Sequence, residues 1–153
     1  MGQQLTPLDI RQLEGEDKGY WQYLSELRYL LDNGFTHSIE PGRKTDLQSI
    51  PRLGWSAVGH PLDEAAVAGS IHDDIYQRLG RCLPPGHAPY TRREGDEIYL
   101  QINRDKKVGW VRRTTKHWFV RAFGWRSWNR YRAADAKRAR AEAIVAKIHE
   151  RRI

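Results

Sequence analysis

Within Tyr20–Leu31, Trp21, Leu24, Leu27 and Leu30 recur at helical spacing, yet the aromatics of the same stretch also alternate as in a strand. The following Asp32-Asn33-Gly34-Phe35 tips the balance, because Asn-Gly supplies the positive φ values of a type I′ turn. The stretch is therefore expected to end as a strand and to pair with Thr36–Gly42. Residues 43–64 carry Pro51, Gly54, Gly59 and Pro61 and read as a long connection, which inside a domain is usually functional. Ala65, Ala66, Val67, Ala68, Ile71, Ile75 and Leu79 then mark a helix whose first turn Asp63 can cap. Pro84-Pro85-Gly86 breaks the chain, and Thr91 with Glu94 forms the capping box of a second helix, in which Asp96 lies beside the Ile98–Ile102 stripe. A third helix is expected from near Val111 with an interruption at Gly124. A fourth spans Ala133–Glu150, with Ala141, Ile144, Val145 and Ile148 on one face. Met1–Gly19 is polar and reads as an arm, or as a short helix around Pro7–Leu13.

The expected architecture is an α+β fold: a short N-terminal β-hairpin or small sheet, a helical pair, and basic C-terminal helices. Residues 1–19 form the arm, 20–130 a single domain, and 131–153 a basic helix. A chain of 153 residues can bury one core. The mean hydropathy of −0.77 implies that part of it is solvated or docked on a partner.

Charge sharpens that division. The net charge is +7, but residues 104–153 hold 16 Lys+Arg against 4 Asp+Glu, a net of +12, which leaves residues 1–103 at −5. A basic module on an acidic body suggests a polyanionic partner: an anionic membrane surface, an acidic protein face, or, as the weaker reading, nucleic acid. The single cysteine, Cys82, excludes an intrachain disulfide and a cysteine-based zinc knuckle. No run of about 18 apolar residues and no leader pattern occurs, so the chain reads as soluble, without a signal peptide or membrane span.

Candidate chemistry gathers in Ser70–Gly80. His72, Asp73 and Tyr76 share a helical face, and Asp96 on the next helix can come opposite them. An imidazole bonded through one nitrogen to a carboxylate can use the other to activate water. The bland alternative is a solvated turn in which Tyr76 packs and Asp96 is an exposed helix carboxylate. Asp74 is left to solvent on either reading. Thr45, Asp46 and Ser49 read first as a turn closing before Pro51, with Asp46 as an extra site carboxylate the alternative. Downstream, Trp110, Arg112, Arg113, Lys116, His117, Trp118, Phe119, Arg121, Trp125, Arg126, Trp128 and Arg130 interleave aromatics with cations. Such a surface suits lipid headgroups, stacked bases or a protein interface, and equally a core cap with a solvated basic face. Lys137 and Arg138 extend it into the C-terminal helix, whose apolar face is expected to dock on its own domain or on a neighbouring subunit.

The segment GHPLDEAAVAGSIHDDIY, followed by REGDEIYLQI, resembles the His-Asp helix pair of phospholipase A2 enzymes, especially the type embedded in parvovirus capsid proteins. That resemblance implies His72 as general base for water attacking an sn-2 ester, Asp96 as its partner and Tyr76 as the hydroxyl fixing Asp96. It also implies Asp73 as a calcium ligand, with a loop glycine, Gly54, as the remnant of the carbonyl-donating turn. A second resemblance covers more of the chain. IEPGRKTDLQSIPR, AAVAGSIHDDIY, TRREGDEIY and VRAFGWRSW are similar to a bacteriophage and prophage family known as domain of unknown function 1353. Its members carry a Pro-Gly turn, a Thr-Asp-x-x-Ser-Ile-Pro motif, a His-Asp-x-x-Tyr helix, an Arg-x-x-x-Asp helix and a Phe-Gly helix. Together these imply a phage gene product in the virion or host cytoplasm. Its expected function is a phospholipase A2-like hydrolase with calcium as cofactor, acting on or binding membrane lipid while the genome passes into or out of the cell. The alternative is a non-enzymatic virion component docking through its basic helix on phage structural proteins of a capsid, neck or tail, or on further copies of itself.

Overall fold

The computed structural model describes residues 1–45 and 64–150. Six short strands, β1 (Gln3–Gln4), β2 (Ile10–Gln12), β3 (Trp21–Tyr23), β4 (Leu27–Leu30), β5 (Thr36–Ile39) and β6 (Lys44–Thr45), with a 3-10 turn at Gly15–Asp17, precede three α-helices among the described residues: α1 (Ala66–Gln77), α2 (Arg92–Asp105) and α3 (Trp110–Glu150). The chain is α+β, as its pattern implies. The strands form two antiparallel three-stranded sheets, ordered β1-β4-β5 and β2-β3-β6.

The ambiguous stretch before Asn33 resolves into two strands, because Leu24–Glu26 carries the chain from one sheet to the other. Residues 1–19 supply a strand to each sheet, pairing Gln3 with Leu30 and Ile10 with Tyr23, so Pro7–Leu13 is not a helix. β4 and β5 form the expected hairpin, pairing Leu27 with Ile39 and Tyr29 with His37. Its turn differs in type. Gly34 alone takes a positive φ, +82°, and donates its N–H to Leu31 O at 3.0 Å, while Leu31 N–H bonds Phe35 O at 2.8 Å. That is a three-residue loop with glycine in the left-handed position, in place of the two-residue type I′ turn.

α1 is the central element. Its buried residues run from Ala66 to Tyr76 with Gly69 as the one interruption, so the helix has no solvent face over that span. Such a helix must give every polar side chain a partner. It stops at a left-handed pair, Leu79 and Gly80, with φ of 52° and 75°, where Gly80 N–H caps Ile75 O at 2.8 Å. A side chain at Gly80 would overlap the Tyr90 backbone, which lies against it through Tyr90 N–H to Gly80 O at 3.1 Å. α2 opens with the predicted capping box, Glu94 N–H to Thr91 Oγ1 at 3.2 Å and Thr91 N–H to Glu94 Oε2 at 2.7 Å. Gly95 lets it approach Ile75 of α1.

α3 corrects the expectation of two C-terminal helices. It is one helix of 41 residues, running through Gly124 without a break. Gly124 faces Tyr76, where a Cβ would sit 2.5 Å from the phenol oxygen, so the residue marks close packing of two elements. Beyond Tyr131 the helix is almost entirely exposed. Ile144, Val145 and Ile148 stand in solvent, so this face does not dock on its own domain.

Candidate functional site

Three helices meet around one carboxylate. α1 offers His72 and Tyr76, α2 offers Asp96 and Arg92, and α3 offers Arg121. Asp96 is fully buried, and its Oδ1 lies 3.1 Å from His72 Nε2 and accepts the Tyr76 hydroxyl at 2.5 Å. Its Oδ2 accepts Arg121 Nη1 at 3.1 Å and, at 3.5 Å, Arg92 Nη1 from one helical turn earlier. The His72 ring packs on Tyr76 and edge-on to Tyr99, with centroids 4.1 and 5.4 Å away. Thus His72, Asp96 and Tyr76 come together as read from the sequence. Arg121, expected on the partner surface, belongs to the same cluster, and Arg92 is the arginine of the Arg-x-x-x-Asp spacing.

The electrostatics follow from this geometry. Burial works against a charged His72, but the flanking Asp73 and Asp96 carboxylates outweigh it and hold the imidazole above its ordinary 6.5. Burial likewise opposes a charged Asp96, yet His72, Tyr76 and Arg121 hold it below its ordinary 3.8. Burial and the adjoining carboxylate push the Tyr76 phenol far up, so it stays a donor. Asp96 is therefore an acceptor only, and His72 Nε2 carries a proton toward it. For stability, the raised His72 value contributes below 6.5 and is lost as pH climbs through the folded value. The lowered Asp96 value contributes above 3.8 and is lost as pH falls through its folded value. The pair is thus most stabilising between about pH 4 and 6.5. Urea midpoints measured from pH 5 to pH 9 should fall more for wild type than for His72→Gln; parallel curves would contradict the coupling.

Asp73 was the expected calcium ligand. Its Oδ2 accepts the Thr45 hydroxyl at 2.9 Å, and its Oδ1 lies 3.9 Å from His72 Nδ1. Calcium takes six to eight oxygens. Among the described residues no group of His, Cys, Asp or Glu side chains is placed to hold a metal ion. Gly54, Asp46, Ser49 and Asp63, with the sequence readings that fall on them, lie outside the described residues.

Asp74 is the clearest correction. It is 3% exposed rather than solvated, with His37 Nε2 at 2.9 Å and Arg78 Nε at 3.1 Å on Oδ2, and Arg43 Nε at 2.9 Å from Oδ1. His37 and Arg43 went unnoticed in the sequence because they come from the strand region, and only the Asp74–Arg78 helical spacing hinted at the cluster.

The predicted partner surface divides. Trp118 and Trp125 are 70% and 49% exposed, and Arg126 lies over the Trp125 ring. Arg130, Lys137 and Arg138 are also exposed. Trp128 instead turns inward, its ring edge-on to Tyr76 with centroids 5.1 Å apart. No described helix is long and apolar enough to cross a membrane.

No match is found among curated proteins or among solved structures. The family model described as Protein of unknown function (DUF1353) matches residues 21–120. That span takes in β3 to the first turns of α3, and with them Thr45, His72, Asp73, Tyr76, Arg92 and Asp96. The chain belongs to this family, and the site built on Asp96 lies inside the part that defines membership, up to one residue short of Arg121.

Proposed function

We propose that this chain is a phage-encoded ester hydrolase of the phospholipase A2 type, acting at the sn-2 ester of membrane phospholipid as a phage genome passes into or out of the cell. The observation that carries this reading is the His72 Nε2–Asp96 Oδ1 contact at 3.1 Å, with Tyr76 donating to the same oxygen. Asp96 fixes the tautomer, so the neutral ring presents its Nδ1 lone pair to a water. As the water oxygen bonds to the ester carbonyl carbon, its proton passes to Nδ1. The proton then goes to the departing alkoxide as the C–O bond breaks, leaving a fatty acid and an alcohol. Because only the neutral ring serves, the rate should rise with pH through the raised His72 value. No step is routed through calcium. Val111, Trp118 and Trp125, exposed at seven-residue spacing on α3 among Arg and Lys, suit an anionic lipid surface.

A second reading has its own support: a non-enzymatic virion component whose cluster is structural. It is favoured by the burial of His72, which is 2% exposed, and by the bare Ile144–Val145–Ile148 face of α3. Fatty-acid release from phosphatidylglycerol vesicles, run with calcium and with a chelator, separates the two. The hydrolase reading expects release by wild type and a loss of about a hundredfold or more in His72→Ala and Asp96→Asn. Release that survives His72→Ala, or none from wild type in either condition, would sink it.

A further inference from the structure

We propose that a groove lined by Arg43 and Arg78, the two arginines paired with Asp74, is a binding site for a ligand bearing phosphate groups. This does not depend on the hydrolase reading. The groove, of about 770 Å³, lies between β6, the end of α1 and the middle of α3. Six cations line it: Arg43, Lys44, Arg78, Arg81, Arg130 and Arg138. Among the described residues the carboxylates paired with them are Asp74 for Arg43 and Arg78, Asp135 for Arg81, and Asp17 for Lys44, three against six cations. That excess outweighs the roughly half negative charge at the C-terminus of α1.

The site is built from behind. Buried Asp74, itself held by His37, stands in ion-pair contact with Nε of both Arg43 and Arg78, which lowers the cost of ordering either guanidinium when a ligand arrives. Arg43 Nη2 also donates to Gln77 Oε1 at 3.3 Å and Arg78 Nη2 to Ser38 O at 3.4 Å. Nη1 of each has no partner among the described residues. Two fixed forks with open donors, joined by Arg130 and Arg138 across the groove, match phosphate oxygens in geometry and charge. The room and the charge excess suit more than one phosphate, whether on a soluble molecule or on a lipid headgroup.

The test is calorimetric titration with inorganic tripolyphosphate, beside sedimentation with phosphatidylglycerol vesicles. Arg130→Gln/Arg138→Gln removes two groove cations from exposed helix positions, and Arg140→Gln/Lys147→Gln removes the same charge elsewhere on α3. The groove pair should weaken binding about tenfold or more and the control pair by less than about threefold. Loss confined to tripolyphosphate marks a soluble ligand, and loss that includes vesicles marks a headgroup; both support the site. Equal losses in the two pairs, or no binding of either probe by wild type, would overturn it.

Discussion

Asp96→Ala is expected to lower the free energy of unfolding by about 3–5 kcal/mol, the range for removing one partner from a buried charged network. Four donors converge on this carboxylate. Two of them, Arg92 and Arg121, are a quarter to a third exposed and can turn back to water, so their share of the loss is small. His72 and Tyr76 have no such escape. The imidazole loses one of the two carboxylates that hold its charge, and the phenol is left buried with no acceptor. Asp96→Asn keeps the shape and one acceptor oxygen, and should cost about 1–3 kcal/mol. Urea unfolding at pH 6, inside the window where the pair contributes most, measures both. A loss under about 1 kcal/mol for the alanine variant would mean that the cluster does not hold the helices together.

The second large effect is one of sign. Alanine is the better helix former by about 1 kcal/mol, so glycine-to-alanine inside a helix ordinarily stabilises. Gly69 in α1 meets no atom within 4 Å of an added Cβ, and Gly69→Ala should stabilise by up to about that amount. Gly124→Ala should do the reverse. Its Cβ would stand 2.5 Å from Tyr76 Oη and 3.3 Å from two ring carbons, and the ring cannot swing aside without leaving Asp96. Overpacking of this kind costs about 1–3 kcal/mol, and any activity that depends on the dyad should fall with it. Paired thermal melts check the contrast; stabilisation by both substitutions would show that Gly124 is not a contact point.

These two residues also show what could be seen in the chain before its structure. The His72–Tyr76 spacing and the Thr91–Glu94 box are local, set within one helical turn, and both stand as read. Asp96 was legible because the Pro84-Pro85-Gly86 break allows its helix to return to α1. Asp74 was not legible, for a geometric reason. Consecutive residues turn by about 100° on a helix, so His72 and Asp74 leave α1 on nearly opposite sides. Local spacing places one of them and says nothing of what lies behind the other, here His37, Arg43 and Arg78. Gly124 misled because a glycine that permits close approach and one that ends a helix look alike in sequence, and the long-range contact with Tyr76 tells them apart. The Asn33-Gly34 turn was placed correctly and typed wrongly, since loop length is decided by which residues of β4 and β5 pair. The Thr-Asp-x-x-Ser-Ile-Pro motif contributes Thr45, whose hydroxyl reaches Asp73, and its remainder lies outside the described residues.

The central claim is that Asp96 fixes the tautomer of His72 and, together with Asp73, holds its charge. Nitrogen-15 NMR of the His72 imidazole across pH tests it most directly. Wild type should titrate above 6.5, with the neutral ring protonated at Nε2, and Asp96→Asn should move the midpoint down. A midpoint at or below 6.5, a neutral ring protonated at Nδ1, or a midpoint that Asp96→Asn does not shift would contradict it.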